Sequence, residues 1–319
     1  AYVCCAADAM AMVMKYWNYP DAGVGEHSYI PPGFPQQSVT FGAEYDWDNM
    51  SIQITPSSPQ VNIQAIALLM YHCGVSINMG YGSQGSGAYS SDVPEAMESH
   101  FKYTGNMQLK WREYYEKKEW EDMLINNFNQ GFPAFYAGHD NGTNGHAFVC
   151  DGYTDTRYFH FNWGWSGYYN GNFAIDAINP PGWVFNDGQN AIFDMIPAYA
   201  YDCMATAPVI ETKANTAYSH KGTIKVNVPT TSESGVELTA IDKVVILRDG
   251  VEVYSESNVT PGSVVVFEDE VSEYDCYYYT SYIVSNGVIG RWNSEPLLYG
   301  PICEWKLIAT TTSFQGWNG

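Results

Sequence analysis

The chain has 319 residues and carries 14 Lys and Arg against 35 Asp and Glu, a formal charge of −21. That balance excludes a basic face for nucleic acid or an anionic membrane surface, and no apolar run approaches the ~20 residues of a membrane-spanning helix. With 45% hydrophobic and 16% aromatic residues the chain is globular, and its length predicts two domains at ~150 residues each. Seven Cys is an odd number, so at least one thiol lies outside any internal disulfide set.

In chain order, Ala6–Tyr16 carries Ala, Met and Val without a breaker and reads as a buried helix stopped by Pro20. Ile63–Cys73 repeats apolar residues at helical spacing and is expected to end at Gly74. Asp92 reads as the N-cap of a helix over Val93–Phe101, with Pro94 in its first turn. Trp120, Leu124 and Phe128 share one helical face ahead of Gly131. Strands are expected at Pro133–Ala137, His146–Cys150, Tyr158–Trp163 and Asn172–Ile175. Helices first and an antiparallel sheet after them make an α+β pattern.

The composition changes near residue 200, and a domain boundary is placed at about Ala200–Cys203, giving domains 1–200 and 203–319. The second part reads as short strands at Thr223–Val228, Lys243–Leu247, Val251–Ser255, Val264–Glu268, Cys276–Val284 and Lys306–Thr311. Their spacing and Val, Ile and Tyr content predict an all-β sandwich, with Asp249-Gly250 as a hairpin turn. Cys203, Cys276 and Cys303 offer one disulfide of open connectivity. The Tyr277–Tyr282 run reads as half-buried strand residues, with an exposed sugar-binding ladder as the alternative.

Chemistry concentrates in the first part. Cys4 and Cys5 stand at the start of the first helix, where unpaired N–H groups and the dipole favour the nucleophilic thiolate. A thiolate needs a base. His27, His72, His100, His139 and His220 sit in ordinary contexts, and His160, between Phe159 and Phe161, reads as packed in the sheet. His146 differs, because it opens a strand after a Gly-rich loop and Gly145 lets a substrate backbone approach. Asn162, in Phe161-Asn162-Trp163-Gly164-Trp165, can accept from an imidazole N–H, and an adjacent indole can shield that bond. A Cys with His and Asn roughly 130–160 residues downstream has the papain-like order. No His or Cys pair has metal-ligand spacing.

The segment Cys5-Ala6-Ala7-Asp8-Ala9-Met10-Ala11, running to Met14-Lys15-Tyr16 and Asn18-Tyr19-Pro20, resembles the nucleophile region of the streptopain family of bacterial papain-like cysteine peptidases. So do Tyr45-Asp46-Trp47-Asp48-Asn49-Met50, Leu69-Met70-Tyr71-His72-Cys73-Gly74, Gly85-Ser86-Gly87-Ala88, Gly145-His146-Ala147-Phe148-Val149 and Asn162-Trp163-Gly164-Trp165. The resemblance covers roughly residues 4–200. It implies Cys5 as nucleophile, His146 as general base and acid, Asn162 and Trp163 orienting and shielding the imidazole, and Ser86 and Gly145 touching substrate. It further implies hydrolysis of protein substrates through an acyl-enzyme, an inhibitory N-terminal pro-segment or cleaved N-terminal chain as partner, and no metal or organic cofactor. The start at Ala1 without Met fits removal of a leader or pro-segment, and the location implied is secreted or cell-surface attached.

Three departures from the family pattern stand out. Cys4 replaces the usual Gly before the nucleophile and is itself a candidate reactive thiol. Asp8 replaces the usual Thr one turn along, adding negative charge near the thiolate. No Gln precedes Cys5 to serve as the second oxyanion donor, whose loss costs on the order of 10²–10³ in turnover. A non-catalytic or weakened peptidase-fold binding protein is therefore the alternative, and transfer of the acyl group to an amine stays open. The closing strands of the second part, Cys276–Gly287 with Arg291-Trp292, are loosely similar to fibronectin type III modules, of the wider immunoglobulin-like kind.

Overall fold

The structure, a computed structural model, describes residues 4–82, 85–140, 144–216 and 218–300. The chain divides into two compact units, 1–201 and 202–319.

The first unit mixes helix and sheet. It opens with α1 (Cys5–Trp17). Ala and Met favour helix, Cys4 caps its start by accepting the Ala6 N–H at 3.4 Å, and Asn18 ends it in the left-handed conformation at φ 47°. A two-stranded sheet, β1 (Glu26–Tyr29) with β2 (Gln37–Thr40), leads to α2 (Gln60–Ser76). Gly74 does not stop α2, which runs two residues further; the missing side chain instead admits Met79, whose Cε would lie 3.0 Å from a Cβ there. In α3 (Val93–Phe101) Asp92 occupies the N-cap position, but its side chain makes no capping bond and takes the Ser91 hydroxyl at 3.3 Å.

Next come β3 (Gln108–Trp111), α4 (Lys117–Asn129), β4 (Ala134–Asp140), β5 (Asn144–Tyr153), β6 (Phe159–Asn162), β7 (Gly171–Phe173) and β8 (Asp187–Phe193). Six of these strands form one antiparallel sheet, ordered β3-β8-β4-β5-β6-β7. The sequence reading omits β8. Its buried centre includes Gln189 and Asn190, so no apolar alternation marks it; Gln189 is satisfied by the Tyr136 hydroxyl at 2.5 Å. β5 is buried on both faces. Ala147 and Val149 join the core formed with α1 and α2, while Phe148 and Cys150 join an aromatic core containing Trp120 of α4. His160 is a correction: Phe159 and Phe161 fill the core, so alternation turns His160 outward, where Nδ1 meets Asp151 at 2.5 Å.

A short α5 (Ala198–Cys203) spans the division between the units. The second unit contains β9 (Val209–Ala214), β10 (Lys221–Asn227), β11 (Ile241–Arg248), β12 (Val251–Val259), β13 (Val264–Glu270), β14 (Cys276–Ser285), β15 (Val288–Ile289) and β16 (Asn293–Leu298). Three strands pair as β13-β10-β9, and five build on β11 and β14. Ile224 and Val226 of the first sheet share a core with Val244, Ile246, Tyr279 and Ile283 of the second. The Asp249-Gly250 turn has positive φ at both residues, 48° and 83°, the requirement of a tight hairpin. Cys203 and Cys276 are both free thiols, which removes that pairing, and Cys303 lies outside the described residues, as does the expected strand Lys306–Thr311. Within Tyr277–Tyr282, Tyr279 is buried, Tyr282 stacks on Trp292 at 4.7 Å and Tyr278 is exposed. No ladder of exposed rings forms there.

Candidate active site

Most of α1 is buried, but Cys5, Asp8, Met12 and Lys15 are only half-buried. Their spacing of three, four and three places them in one stripe along the helix. Cys5 is therefore at once the first helical residue and the top of an incompletely covered stripe of α1. As the first helical residue its N–H has no partner within the helix.

The Cys5 thiol meets two side chains, Cys4 and His146. Its pKa is lowered to about 4. The hydrogen bond from Cys4 contributes most, ahead of the bond and charge of His146 and an N–H bond from Ala147, all acting against burial. The Cys4 thiol moves the opposite way, because its bond to Cys5, its burial and the nearby negative charge all hold its proton. Cys4 is 1% exposed and its sulfur already accepts the Ala6 N–H. Contact with His146 favours the thiolate at Cys5, while the Ala6 N–H bond at Cys4 works against its strong upward shift.

His146 lies at the start of β5, opposite Gly138 of β4 and flanked by the exposed Gly145. Its Nε2 is 2.8 Å from the Trp163 carbonyl oxygen. A carbonyl only accepts, so Nε2 carries the hydrogen and Nδ1 is left for the thiol proton. This corrects the expected role of Asn162. Its side-chain oxygen accepts the Gly164 N–H at 3.2 Å and braces the turn after β6, while the backbone one residue on holds the imidazole. The Trp163 ring is fully buried, donating its N–H to the Tyr169 carbonyl at 2.8 Å. Shielding falls to Trp165, which stacks on His146 at 4.9 Å and 19°. A backbone acceptor leaves no signature in sequence, since any residue supplies a carbonyl.

Gly145 has ordinary backbone conformation, and an added Cβ would find its nearest neighbours at 3.8 Å. Neither strain nor crowding within the fold requires glycine there. Ser86 is half-buried in a loop closed by the paired backbones of Gly80 and Gly87, at 2.8 and 2.9 Å.

Asp8 was read only as a departure from the family pattern. It packs against the turn after β6: a Cβ on Gly164, which has φ +72°, would lie 2.0 Å from Asp8 Oδ2. Burial raises its pKa to about 6, partly opposed by His146, with Cys5 raising it further.

The sequence pattern of the Peptidase C10 family matches residues 1–173. The chain belongs to the Peptidase C10 family. It is 37% identical over 183 residues to the thiol protease/hemagglutinin PrtT of Porphyromonas gingivalis, covering 56% of this chain and 21% of that protein. It is 34% identical over 184 residues to streptopain of Streptococcus pyogenes, covering 55% of this chain and 46% of the relative. The chain thus spans less than half the length of these relatives. Among solved structures it resembles active wild-type interpain A of Prevotella intermedia, a cysteine protease, with TM-score 0.56 and 33% identity over 60% of this chain and 82% of the other. A prointerpain A fragment of the same organism gives TM-score 0.53, 33% identity, and coverage of 61% and 63%. These matches to C10 peptidases place the mixed helix-and-sheet unit beside cysteine proteases. Among the described residues no helix is long and apolar enough to cross a membrane.

Proposed function

We propose that this chain is a cysteine endopeptidase that cleaves protein substrates, with Cys5 as nucleophile and His146 as general base and acid. The observation that carries the reading is one chain of contacts: a thiol at a helix N-terminus, bonded to an imidazole whose far nitrogen is held by the Trp163 carbonyl.

The geometry supports the following steps. Nδ1 of His146 takes the Cys5 proton, and the resulting imidazolium keeps its second proton on the Trp163 carbonyl. The thiolate attacks the scissile carbonyl. The Cys5 N–H, free at the helix start, donates to the developing oxyanion. His146 then protonates the leaving amine from Nδ1 and later removes a proton from the water that opens the acyl-enzyme. The Trp165 ring over His146 keeps bulk water from the imidazole's bond to Trp163. Ser86, and the open space at Gly145, fit contacts to substrate backbone.

By analogy with prointerpain A the enzyme is made with an N-terminal pro-segment, and, as the likeness to streptopain and PrtT suggests, it works outside the cell or on its surface. The second unit is an accessory β-sandwich of the fibronectin or immunoglobulin kind, supported by two sheets sharing one core.

The test is iodoacetamide labelling at pH 5.5, with peptide mapping of every Cys, alongside cleavage of a casein substrate. An ordinary thiol of pKa ~8.5 reacts slowly there. Fast labelling confined to Cys5, lost in His146→Ala, together with casein cleavage, is the expected result. Labelling of Cys5 no faster than that of Cys73 overturns the reading in favour of a non-catalytic binding protein.

A further inference from the structure

Three residues of the half-covered stripe of α1, Asp8, Met12 and Lys15, but not Cys5, line a cavity of about 470 Å³. Met12, Ile54, Ile66, Leu69 and Met70 are part of its largely apolar wall, and Asp8 and Gly164 lie on the side toward Cys5. Asp8 is three residues from Cys5, about 4.5 Å along the helix axis. Neither Ser86 nor Gly145 borders this cavity, so it is separate from the substrate contacts expected from sequence.

Among the described residues the half-buried Asp8 carboxylate has no hydrogen bond to another side chain or to backbone. The cation nearest in sequence, Lys15, also lines the cavity but is engaged elsewhere, donating to the Asn18 side chain at 2.8 Å and the Trp47 carbonyl at 2.6 Å. A carboxylate in such a setting is costly until a cation joins it. Asp8 and Lys15 are the two charged groups on this wall, and because Lys15 is held by Asn18 and Trp47, the carboxylate is the one left to orient a ligand in a largely apolar pocket. A lysine or arginine side chain suits it, since its methylene stem covers the Met and Ile wall while its head reaches the carboxylate.

We propose that this cavity is a specificity subsite for a basic side chain of the substrate, with Asp8 as the recognising carboxylate. The proposal rests on the peptidase reading above. It makes the chain prefer a Lys or Arg at one position flanking the scissile bond, in line with the acidity of the molecule as a whole.

The experiment uses the whole chain and peptides bearing Lys, Leu or Glu at each of the three positions on either side of the cleaved bond. Expected is one position at which kcat/KM for Lys exceeds that for Leu by roughly tenfold, the size of one charge-assisted hydrogen bond, with Glu poorest. Asp8→Asn and Asp8→Thr remove the Lys-over-Leu ratio at that position only. The ratio cancels any effect of Asp8 on Cys5 and His146 that is common to all substrates. A second reading needs no variant: in the unaltered protein the ratio collapses as pH falls through about 6 and Asp8 takes up a proton. The titratable groups around Asp8 are Cys5 and Lys15 on its own helix, Cys73 from α2 and His146 from β5; Lys15 lines the same cavity and opposes a bound Lys, so the ratio reads the pull of Asp8 net of that repulsion. A ratio near one at every position, or one that survives both variants and acid, overturns the subsite while leaving the peptidase intact. Absence of cleavage of every peptide overturns the peptidase reading and the subsite with it.

Discussion

Each unit carries a carboxylate away from open surface, Asp269 buried and Asp8 half-buried, and the two are held in opposite ways. In the second unit Asp269 accepts from Arg248 at 2.6 Å, from the Tyr279 hydroxyl at 2.6 Å and from the Glu270 N–H at 2.9 Å. Tyr279 in turn meets the Tyr299 hydroxyl at 2.8 Å. Both oxygens are engaged, and the group ties β11, β13 and β14 together. In the first unit Asp8 has no such network, faces a cavity and sits one turn from a thiolate. A satisfied buried charge specifies a fold, whereas an unsatisfied one is poised for a ligand or a reaction.

The same contrast separates the thiols. Burial, reinforced by the charge of Asp8 at Cys73 and of Asp151 at Cys150, pushes both thiols upward, so both stay protonated and inert. Cys5 is also largely buried, but donors outweigh the burial and take it down.

The sharpest break of this comparison is Cys5→Ala, expected to lower casein cleavage by roughly 10⁵–10⁶-fold while the thermal melting of the second unit is unmoved. A variant that keeps measurable turnover would hand the nucleophile's role to Cys4. Next in size is Asp269→Ala. It leaves Arg248 without its carboxylate and takes one partner from the Tyr279 hydroxyl, and is expected to cost about 2–4 kcal/mol, read from urea denaturation of the second unit. An unchanged midpoint would refute the structural role given to that network. Trp165→Ala removes the ring over His146 and is expected to lower kcat/KM roughly three- to tenfold, the ~0.5–1.5 kcal/mol of one stacked pair, with Trp165→Phe recovering most of it.

The smallest effect concerns pH. The Cys5 thiolate persists above about 4, so its labelling rate is expected to be level from neutral pH down to pH 5 and to fall as the thiol regains its proton near that value. Cys4→Ala removes the largest stabilising bond and moves the fall upward by about one unit, the worth of one hydrogen bond, while Cys4→Ser holds it lower. A profile indifferent to residue 4 would show that His146 alone sets the thiolate.

Much of this was legible before any coordinates. The Ala- and Met-rich run after Cys5, with Pro20 behind it, marks α1 because both helix propensity and its stop are local properties. The Asp249-Gly250 hairpin is local in the same sense. Asn162 misled because its residue type suits an imidazole partner, yet its own turn claims the side chain first. His160 misled for a register reason, since placing Phe159 and Phe161 inward forces it out.

By itself the sequence determined several of the helices and strands in their order, the two-part division of composition, and the residue types able to make and relay a thiolate, because these depend on neighbours along the chain. Only the tertiary structure decided that a carbonyl at Trp163 holds His146, that Trp165 covers it, and that Asp8 lines a cavity one turn from Cys5. Those facts join α1, α2, β5 and the turn after β6. A carbonyl's direction, a ring's stacking and a carboxylate's lack of partners exist only once distant segments have packed together.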